Sequence, residues 1–200
     1  MRTLIIDNYL PNSPQIEHLY NTVCNSSVHT VEIRDYTTLT VSEDLKQYDA
    51  IILSGSQRKL TEIGNAELFQ NEYELIRRQT RPMLGICFGI QLMAITFGED
   101  VVHMGQKYDG YYMVRKVEKD DLFEGLGDKF LVRQSHEEMV PKLPYDFLLL
   151  ADSPNCPIEV IKHQIYPIYG VQFHPERFDD KHPAGQIILE NFFKLASFYT

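Results

Sequence analysis

The sequence lacks a basic stripe and a long apolar run, and both absences narrow what the chain can do. Its 200 residues include 19 lysines and arginines against 28 aspartates and glutamates, which gives a net charge of −9. Binding to nucleic acid through charge is therefore not expected. No apolar run approaches the roughly 20 residues that a membrane-spanning helix needs. We expect neither a nucleic-acid partner nor a membrane anchor.

Cysteine is scarce, and its spacing argues against a disulfide framework. The three cysteines, Cys24, Cys87 and Cys156, form no Cys-x-x-Cys pair. An odd number without regular spacing is typical of a reducing compartment. The apolar part of residues 1–7 is too short for a signal peptide. These features predict a cytoplasmic protein in which Cys24 and Cys156 are structural thiols.

Motifs for nucleotide and metal binding are also missing. The sequence has neither a P-loop nor a Gly-x-Gly-x-x-Gly fingerprint. His103, His163 and His182 each stand alone, so no metal site is expected. His174-x-Glu176 resembles half of a zinc deaminase signature, but no Pro-Cys-x-x-Cys follows it. We expect no cofactor, and a chain that cannot by itself activate an acceptor with ATP.

Short apolar segments alternate with amphipathic ones in the first half of the chain. This alternation predicts an α/β fold with a doubly wound, mostly parallel sheet flanked by helices. The predicted strands cover residues 3–7, 30–34, 49–54 and 82–86. The predicted helices cover residues 13–24, 65–79 and 88–97, the second with a possible cap at Asn65.

The pattern changes near residue 101 to short β segments, which we expect to add antiparallel strands to the sheet. These segments cover residues 111–117, 129–133, 147–151, 158–163 and 167–173. A helix over residues 185–198 closes the chain. No linker is long enough to divide the sequence, so residues 1–200 are predicted to form one domain.

A cysteine between two glycines is the strongest chemical signal. Gly85-x-Cys87-x-Gly89 joins a predicted strand to a predicted helix, which is the layout of a nucleophile elbow. Glycine permits a tight turn around a residue in a strained conformation, and a helix N-terminus favours a thiolate. A lone cysteine before an apolar helix is usually a buried hydrophobe, but the flanking glycines favour a nucleophile at Cys87.

His174 and Glu176 supply the other parts of a catalytic triad. In an extended segment, side chains two residues apart face the same side, so Glu176 could orient His174 while the imidazole faces Cys87. A lone His-x-Glu is usually a surface pair. Together with the glycine-flanked cysteine, however, the pair predicts a nucleophile, a base and an orienting carboxylate.

These motifs resemble those of the class I glutamine amidotransferases, a family built on a Cys-His-Glu triad. The likeness runs almost end to end and includes residues 4–8, 51–55, 134–136 and 190–192. Within the family, the chain is most similar to the amidotransferase part of GMP synthase, on residues 135–140, 155–163 and 167–176. The resemblance implies a flavodoxin-like core. It also implies hydrolysis of glutamine through a γ-glutamyl thioester, with ammonia passed to a separate ATP-dependent synthetase subunit.

The resemblance also assigns two oxyanion donors, the backbone N–H groups of Phe88 and Ser56. The family turn usually reads Ser-Gly-Gly-Pro, whereas residues 54–57 here read Ser-Gly-Ser-Gln. Any residue except proline can supply the N–H, but serine has less backbone freedom than glycine. We therefore expect weak activity in isolation, or activity that depends on a partner.

Further residues are assigned to the substrate by the same resemblance, namely Gly55, Gln91, Ser135 and His136. The GMP synthase type usually continues Ser-His-Gly-Asp, where this chain has Glu137 and Glu138. Glu138 keeps the family's carboxylate but lengthens it.

Two other functions remain open on the sequence. One is a partner-free hydrolase of γ-glutamyl compounds with the same fold and triad, which the changed turn at Ser56 favours. The other is a non-catalytic regulatory homologue, against which the complete triad argues.

Overall fold

Four short strands form the start of a parallel sheet, as the sequence pattern predicts. The computed structural model describes residues 1–26, 30–40 and 45–199. In it, the strands are β1 (Arg2–Asp7), β2 (Thr30–Asp35), β3 (Ala50–Leu53) and β4 (Met83–Ile86). All residues of β3 and β4 are buried, because helices cover both faces of the sheet.

The predicted helices are present with small changes in their bounds. They are α1 (Pro14–Ser26), α2 (Gln70–Arg78), α3 (Phe88–Thr96) and α4 (Ala184–Ala196). Side chains of α1 and α4 pack in one apolar cluster on one face of the sheet, and those of α2 and α3 in a second cluster on the other. The two clusters give the layered α/β architecture that the alternation of segments predicts.

The helix predicted over residues 65–79 begins differently. Its first part, Ala66–Phe69, is a 3₁₀ helix, and Asn65 has helical backbone angles with no side-chain bond to the helix. The Asn65 amide instead donates to the carbonyl oxygen of Lys59 at 2.9 Å. The prediction of an Asn65 cap is therefore wrong, because this side chain stabilises the preceding loop.

The second half of the chain contributes five strands. They are β5 (Val102–Lys116), β6 (Lys129–Met139), β7 (Phe147–Asp152), β8 (Val160–His163) and β9 (Ile168–Val171). The strand order among the described residues is β2-β1-β3-β4-β9-β8-β7-β5-β6. β5, β6, β7 and β8 are antiparallel to their neighbours, as predicted.

Strand β9 differs from the prediction, because it lies parallel to β4 and antiparallel to β8. It therefore extends the parallel half of the sheet and joins it to the antiparallel half. An apolar run of four buried residues carries no information about the direction of its neighbours.

Strand β6 is also longer than the segment predicted over residues 129–133. Its burial alternates along the whole strand, but Gln134, His136 and Glu138 occupy inward-facing positions where apolar residues would signal a strand. A polar inner face hides a strand from a hydrophobicity pattern.

The carboxyl ends of β3, β4 and β9 lie side by side. Residues 54–60, Cys87 and His174 follow these three strand ends, at the edge of a parallel sheet where ligands bind. None of the helices in the described ranges has both the length and the apolar character needed to cross a bilayer.

Candidate active site

Cys87 lies at a sharp turn between β4 and α3. Its backbone angles are φ 52° and ψ −95°, a region that residues other than glycine rarely adopt. A Cβ on Gly85 would lie 2.7 Å from the carbonyl carbon of Gly89, and one on Gly89 would lie 2.7 Å from the carbonyl oxygen of Leu53. Only glycine fits at either position, so the turn has the elbow geometry that the sequence predicts.

His174 and Glu176 form a buried pair. The Nδ1 atom of His174 lies 2.7 Å from Oε1 of Glu176, and both residues are at most 4% exposed. The sequence predicts that the two residues face the same side of an extended segment, but β9 already ends at Val171. A turn then brings Glu176 back to the imidazole, with the N–H of Arg177 donating to the carbonyl oxygen of His174 at 3.1 Å.

The charges of this group favour a protonated imidazole. Burial by itself would lower the pKa of His174, but the charges of Glu176 and of the Cys87 sulfur, with their hydrogen bonds, raise it to about 9. Burial would likewise raise the pKa of Glu176, but the His174 imidazolium holds it below its ordinary range. Cys87, His174 and Glu176 therefore act on one another electrostatically.

Cys87 faces a cavity of about 310 Å³. Five other residues predicted for the site line this cavity: Ser56, Phe88, Gln91, Ser135 and His136. Gly55 lies beside it, since a Cβ at this position would be 3.0 Å from Cε1 of His174 and 3.0 Å from the hydroxyl of Tyr9. The fold thus brings all the predicted site residues together.

Gln91 and His136 are held by the same atom. The Gln91 amide donates to the carbonyl oxygen of Glu138 at 3.0 Å, and Nδ1 of His136 lies 2.9 Å from it. A carbonyl oxygen only accepts, so Nδ1 of His136 carries the proton and Nε2 is left as an acceptor. Burial lowers the pKa of His136 to about 4. This side chain is therefore neutral near pH 7 and cannot neutralise a carboxylate.

Ser56 fits its turn without strain. Among the described residues other than glycine, only Asn12 and Cys87 have positive φ, so the conformation at residue 56 does not require glycine. The Ser56 hydroxyl donates to the carbonyl oxygen of Asn8 at 2.7 Å and accepts from the N–H of Arg58 at 3.0 Å. The serine therefore ties the turn to the end of β1.

Several residues that sequence reasoning did not single out also line the cavity. Tyr9 follows β1 at the same edge of the sheet, and its buried hydroxyl has no hydrogen-bond partner within the described ranges. Arg58 and Lys59 belong to the turn after β3, and Arg177 directly follows Glu176. Lys107 enters from a bulge in β5, for which the sequence gives no signal.

Among the described residues, the remaining thiols and histidines form no second reactive centre. Cys156 is buried and donates to the carbonyl oxygen of Ile158 at 3.2 Å, and burial raises the pKa of this thiol well above its ordinary range. Such a thiol is unreactive. In residues 1–26, 30–40 and 45–199, no three His, Cys, Asp or Glu residues are placed to hold a metal ion.

Comparisons with known proteins agree with this geometry. The family model for glutamine amidotransferase class-I matches residues 4–196. The chain is 37% identical to a glutamine-hydrolyzing GMP synthase subunit of Archaeoglobus fulgidus over 199 residues, which cover 98% of each chain. It is 36% identical to the subunit of the same name from Pyrococcus furiosus, over 96% of this chain and 97% of that one.

Solved structures show the same fold. A crystal structure from Thermoplasma acidophilum, of a protein provisionally named as the same GMP synthase subunit, superposes with a TM-score of 0.86 and is 27% identical. The match covers 100% of this chain and 95% of that one. A glutamine amidotransferase from Thermotoga maritima superposes with a TM-score of 0.79 at 19% identity, covering 98% and 97% of the two chains.

Proposed function

The chain belongs to the class I glutamine amidotransferase family, and on that premise we propose that it is the glutamine-hydrolysing subunit of a two-subunit GMP synthase. One observation carries the proposal. Cys87, in a strained elbow, and His174, buried and paired with Glu176, line a single cavity. A cysteine nucleophile next to an oriented base is the arrangement that acyl transfer from an amide requires.

The proposed reaction begins at Cys87. Its sulfur attacks the side-chain amide carbon of glutamine, and His174 holds the thiol proton. The imidazolium then gives this proton to the departing nitrogen, so that ammonia leaves and a γ-glutamyl thioester remains on Cys87. His174 next takes a proton from water, which attacks the thioester, and the proton returns to the sulfur as glutamate leaves. Glu176 keeps the imidazole oriented through Nδ1.

The tetrahedral intermediate needs N–H donors at the position of its oxygen. We assign this role to the backbone of Phe88, the first residue of α3, and to the backbone of Ser56. Both residues line the cavity that Cys87 faces. The N-terminus of α3 adds a partial positive charge at the same point.

Ammonia released here needs an acceptor that another protein activates. The relatives are named as one lettered subunit of a GMP synthase, which implies a partner synthase subunit for those proteins. We extend this to the present chain, with residues 1–200 acting as one glutaminase domain and an ATP-dependent synthetase receiving the ammonia. The same partner would control the rate of hydrolysis.

Glutamate release by purified variants tests the proposal. Cys87→Ala should reduce kcat at least about a thousand-fold, since losing the nucleophile removes most of the catalytic advantage. Cys24→Ala is the matched control, because Cys24 is a free thiol that does not line the cavity. A glutamine-like electrophile should label Cys87 in the wild type and leave Cys87→Ala unmodified. Undiminished hydrolysis by Cys87→Ala would contradict the proposal.

A second experiment addresses the partner. The tagged chain is used to recover its synthetase from native extract, and glutaminase activity is then measured with that synthetase and its nucleotide substrate. Amination of the nucleotide with glutamine as nitrogen source supports the GMP synthase assignment. Glutaminase activity that is unaffected by every recovered protein would favour a partner-free hydrolase.

A further inference from the structure

Four lysine and arginine side chains line the cavity in front of Cys87, and one of them differs from the others in its surroundings. Three have carboxylate neighbours: Lys59 Nζ lies 2.6 Å from Glu137, Lys107 Nζ 3.1 Å from Asp109, and Arg177 Nε 3.6 Å from Glu176. The fourth is Arg58, which has no acidic partner within the described part of the chain. Of these four positive charges, that of Arg58 alone is not balanced by a carboxylate of the described residues.

The Nε atom of Arg58 gives a second reason to expect an anion at this side chain. It is buried and has no hydrogen-bond acceptor among the residues that the structure describes. A buried donor without an acceptor destabilises the protein, and more so when it is charged. A planar guanidinium presents paired N–H groups that match a carboxylate. A bound anion would satisfy both the charge and the donor.

Several other polar groups of the cavity are already engaged, although the Tyr9 hydroxyl, a neutral group, is not. The Glu138 carboxylate accepts hydrogen bonds from the backbone of Leu60 and Thr61. The backbone N–H of Arg58 donates to the Ser56 hydroxyl, and His136 is neutral. Among these groups, only the Arg58 side chain has charged donors to spare for an anion.

The position of Arg58 fits an amino-acid substrate. It lies two residues beyond Ser56, which we assign as an oxyanion donor for the reacting amide. In glutamine, two methylenes and the α-carbon separate that amide from the α-carboxylate. A substrate whose amide lies between Cys87 and Ser56 thus brings its α-carboxylate into the cavity that Arg58 lines.

We propose that Arg58 is a specificity-determining residue that binds the α-carboxylate of the γ-glutamyl substrate through its guanidinium. The inference rests on the proposed function. It makes a free α-carboxylate a requirement for tight binding, and it predicts that γ-glutamyl compounds blocked at this group are poor substrates.

Steady-state kinetics with a matched pair of substrates tests the assignment. The pair is glutamine and glutamine α-amide, in which a neutral amide replaces the α-carboxylate. For the wild type, we expect KM for the α-amide to exceed KM for glutamine by about ten- to a hundred-fold, the value of a charged hydrogen bond. Arg58→Gln should raise KM for glutamine by a similar factor, with kcat within about threefold. It should leave KM for the α-amide nearly unchanged.

Lys59→Gln is the control, because this neighbouring cation also lines the cavity but is paired with Glu137. Any effect of Lys59→Gln should be similar on both substrates, whereas the effect of Arg58→Gln depends on the α-carboxylate. Arg58→Lys should restore part of the preference for glutamine. Equal effects of Arg58→Gln on both substrates, or an unchanged KM for glutamine, would overturn the inference. Thermal denaturation confirms that each variant is folded.

Binding to Cys87→Ala separates this inference from the proposed function. Calorimetry with glutamine and its α-amide needs no turnover, so it reports on Arg58 even if the wild type proves inactive. We expect Cys87→Ala to bind glutamine and the double variant Cys87→Ala/Arg58→Gln to bind it at least about tenfold more weakly. This result would support the inference whether or not the wild type is active. Absence of glutamine binding, or equal binding in both variants, counts against it.

Discussion

The carboxylate of Glu138 accepts a hydrogen bond from the backbone N–H of Leu60 at 2.8 Å. Its other oxygen accepts from the N–H of Thr61 at 3.0 Å. These bonds fasten the turn after β3 to the end of β6. The carbonyl oxygen of the same glutamate holds Gln91 and His136. One residue therefore fixes two walls of the cavity relative to each other.

Glu138→Ala should damage both stability and catalysis. Loss of a buried carboxylate that accepts backbone hydrogen bonds should cost about 1–3 kcal/mol of unfolding free energy. The turn that carries Ser56 would lose its attachment to β6 at Leu60 and Thr61, which should lower kcat about tenfold or more. Glu137→Gln is the control, since it removes only partly exposed pairs with Lys59 and His103, each worth less than about 1 kcal/mol. Equal effects of the two substitutions in urea denaturation and glutaminase assays would contradict this role for Glu138.

Gly85→Ala should abolish activity by distorting the elbow. The new methyl would meet the backbone of Gly89 at 2.7 Å, and neither strand nor helix can retreat without moving Cys87. Overpacking of this kind costs about 1–3 kcal/mol. Gly127→Ala provides the comparison, because a Cβ there would meet only the Lys129 carbonyl oxygen at 3.7 Å. Reaction of Cys87 with a glutamine-like electrophile measures the result, and full reactivity in Gly85→Ala would show that the elbow tolerates the change.

Local motifs explain which parts of this molecule could be predicted from sequence. The elbow depends on glycines two residues before and two residues after Cys87. The His174–Glu176 pair depends on a contact within one turn. Both features therefore involve residues that are close in sequence. The length of β6 and the direction of β9 depend on neighbouring strands. Arg58 could not be singled out, because its unpaired state follows from where the fold places the surrounding carboxylates.

The pH profile of hydrolysis should depend on Glu176. The charge of this carboxylate helps raise the pKa of His174 to about 9 against the effect of burial. An alkaline limb in kcat/KM is therefore expected near pH 9, where the imidazolium that protonates the leaving nitrogen is lost. Glu176→Gln removes the charge, so the limb should move to lower pH and the maximal rate should fall. Rates measured from about pH 6 to 10 test this, and a limb at the same pH in both proteins would contradict it.

Glu72 should make stability fall as the pH rises. This α2 residue is fully buried, and Asn8 donates to its Oε1 at 3.1 Å. Glu72 Oε2 and Asn8 Oδ1 lack partners among the described residues, so no further donor is available to stabilise an ionised carboxylate. Burial, opposed by the Asn8 hydrogen bond, raises the pKa of Glu72 from 4.5 to about 8.

Between pH 4.5 and about pH 8, Glu72 holds a proton in the folded state that it has lost in the unfolded state. The free energy of unfolding therefore declines with rising pH and levels off above about pH 8. Glu72→Gln keeps the hydrogen bonds without the titration. Its stability relative to the wild type should therefore increase by about 2 kcal/mol between pH 6 and 8, since one pKa unit is about 1.4 kcal/mol. Urea denaturation at the two pH values measures the difference. If the difference in free energy of unfolding between the two proteins is the same at both pH values, the pKa of Glu72 is not raised by folding.

Ser56→Gly should raise the basal glutaminase rate and reduce stimulation by the partner. The Ser56 hydroxyl holds the turn through Asn8 and Arg58, so it stabilises one conformation of a segment that supplies an oxyanion donor. If the partner acts by moving this turn, the wild type alone should be slow. The substrate-loaded synthetase should then raise kcat at least about tenfold, since a misplaced oxyanion donor costs about a hundred- to a thousand-fold.

Ser56→Ala separates the two features of the serine, because it removes the hydroxyl and keeps the Cβ. Faster basal hydrolysis in both variants would assign the restraint to the hydroxyl, and a gain in Ser56→Gly alone would assign it to the backbone. The measurement is kcat for each protein with and without the loaded synthetase. A wild type that is already fast alone, together with an unchanged rate in Ser56→Gly, would place the control point outside this turn. The contact between Glu138 and Leu60 would be the next candidate, because it holds the same segment from the opposite side.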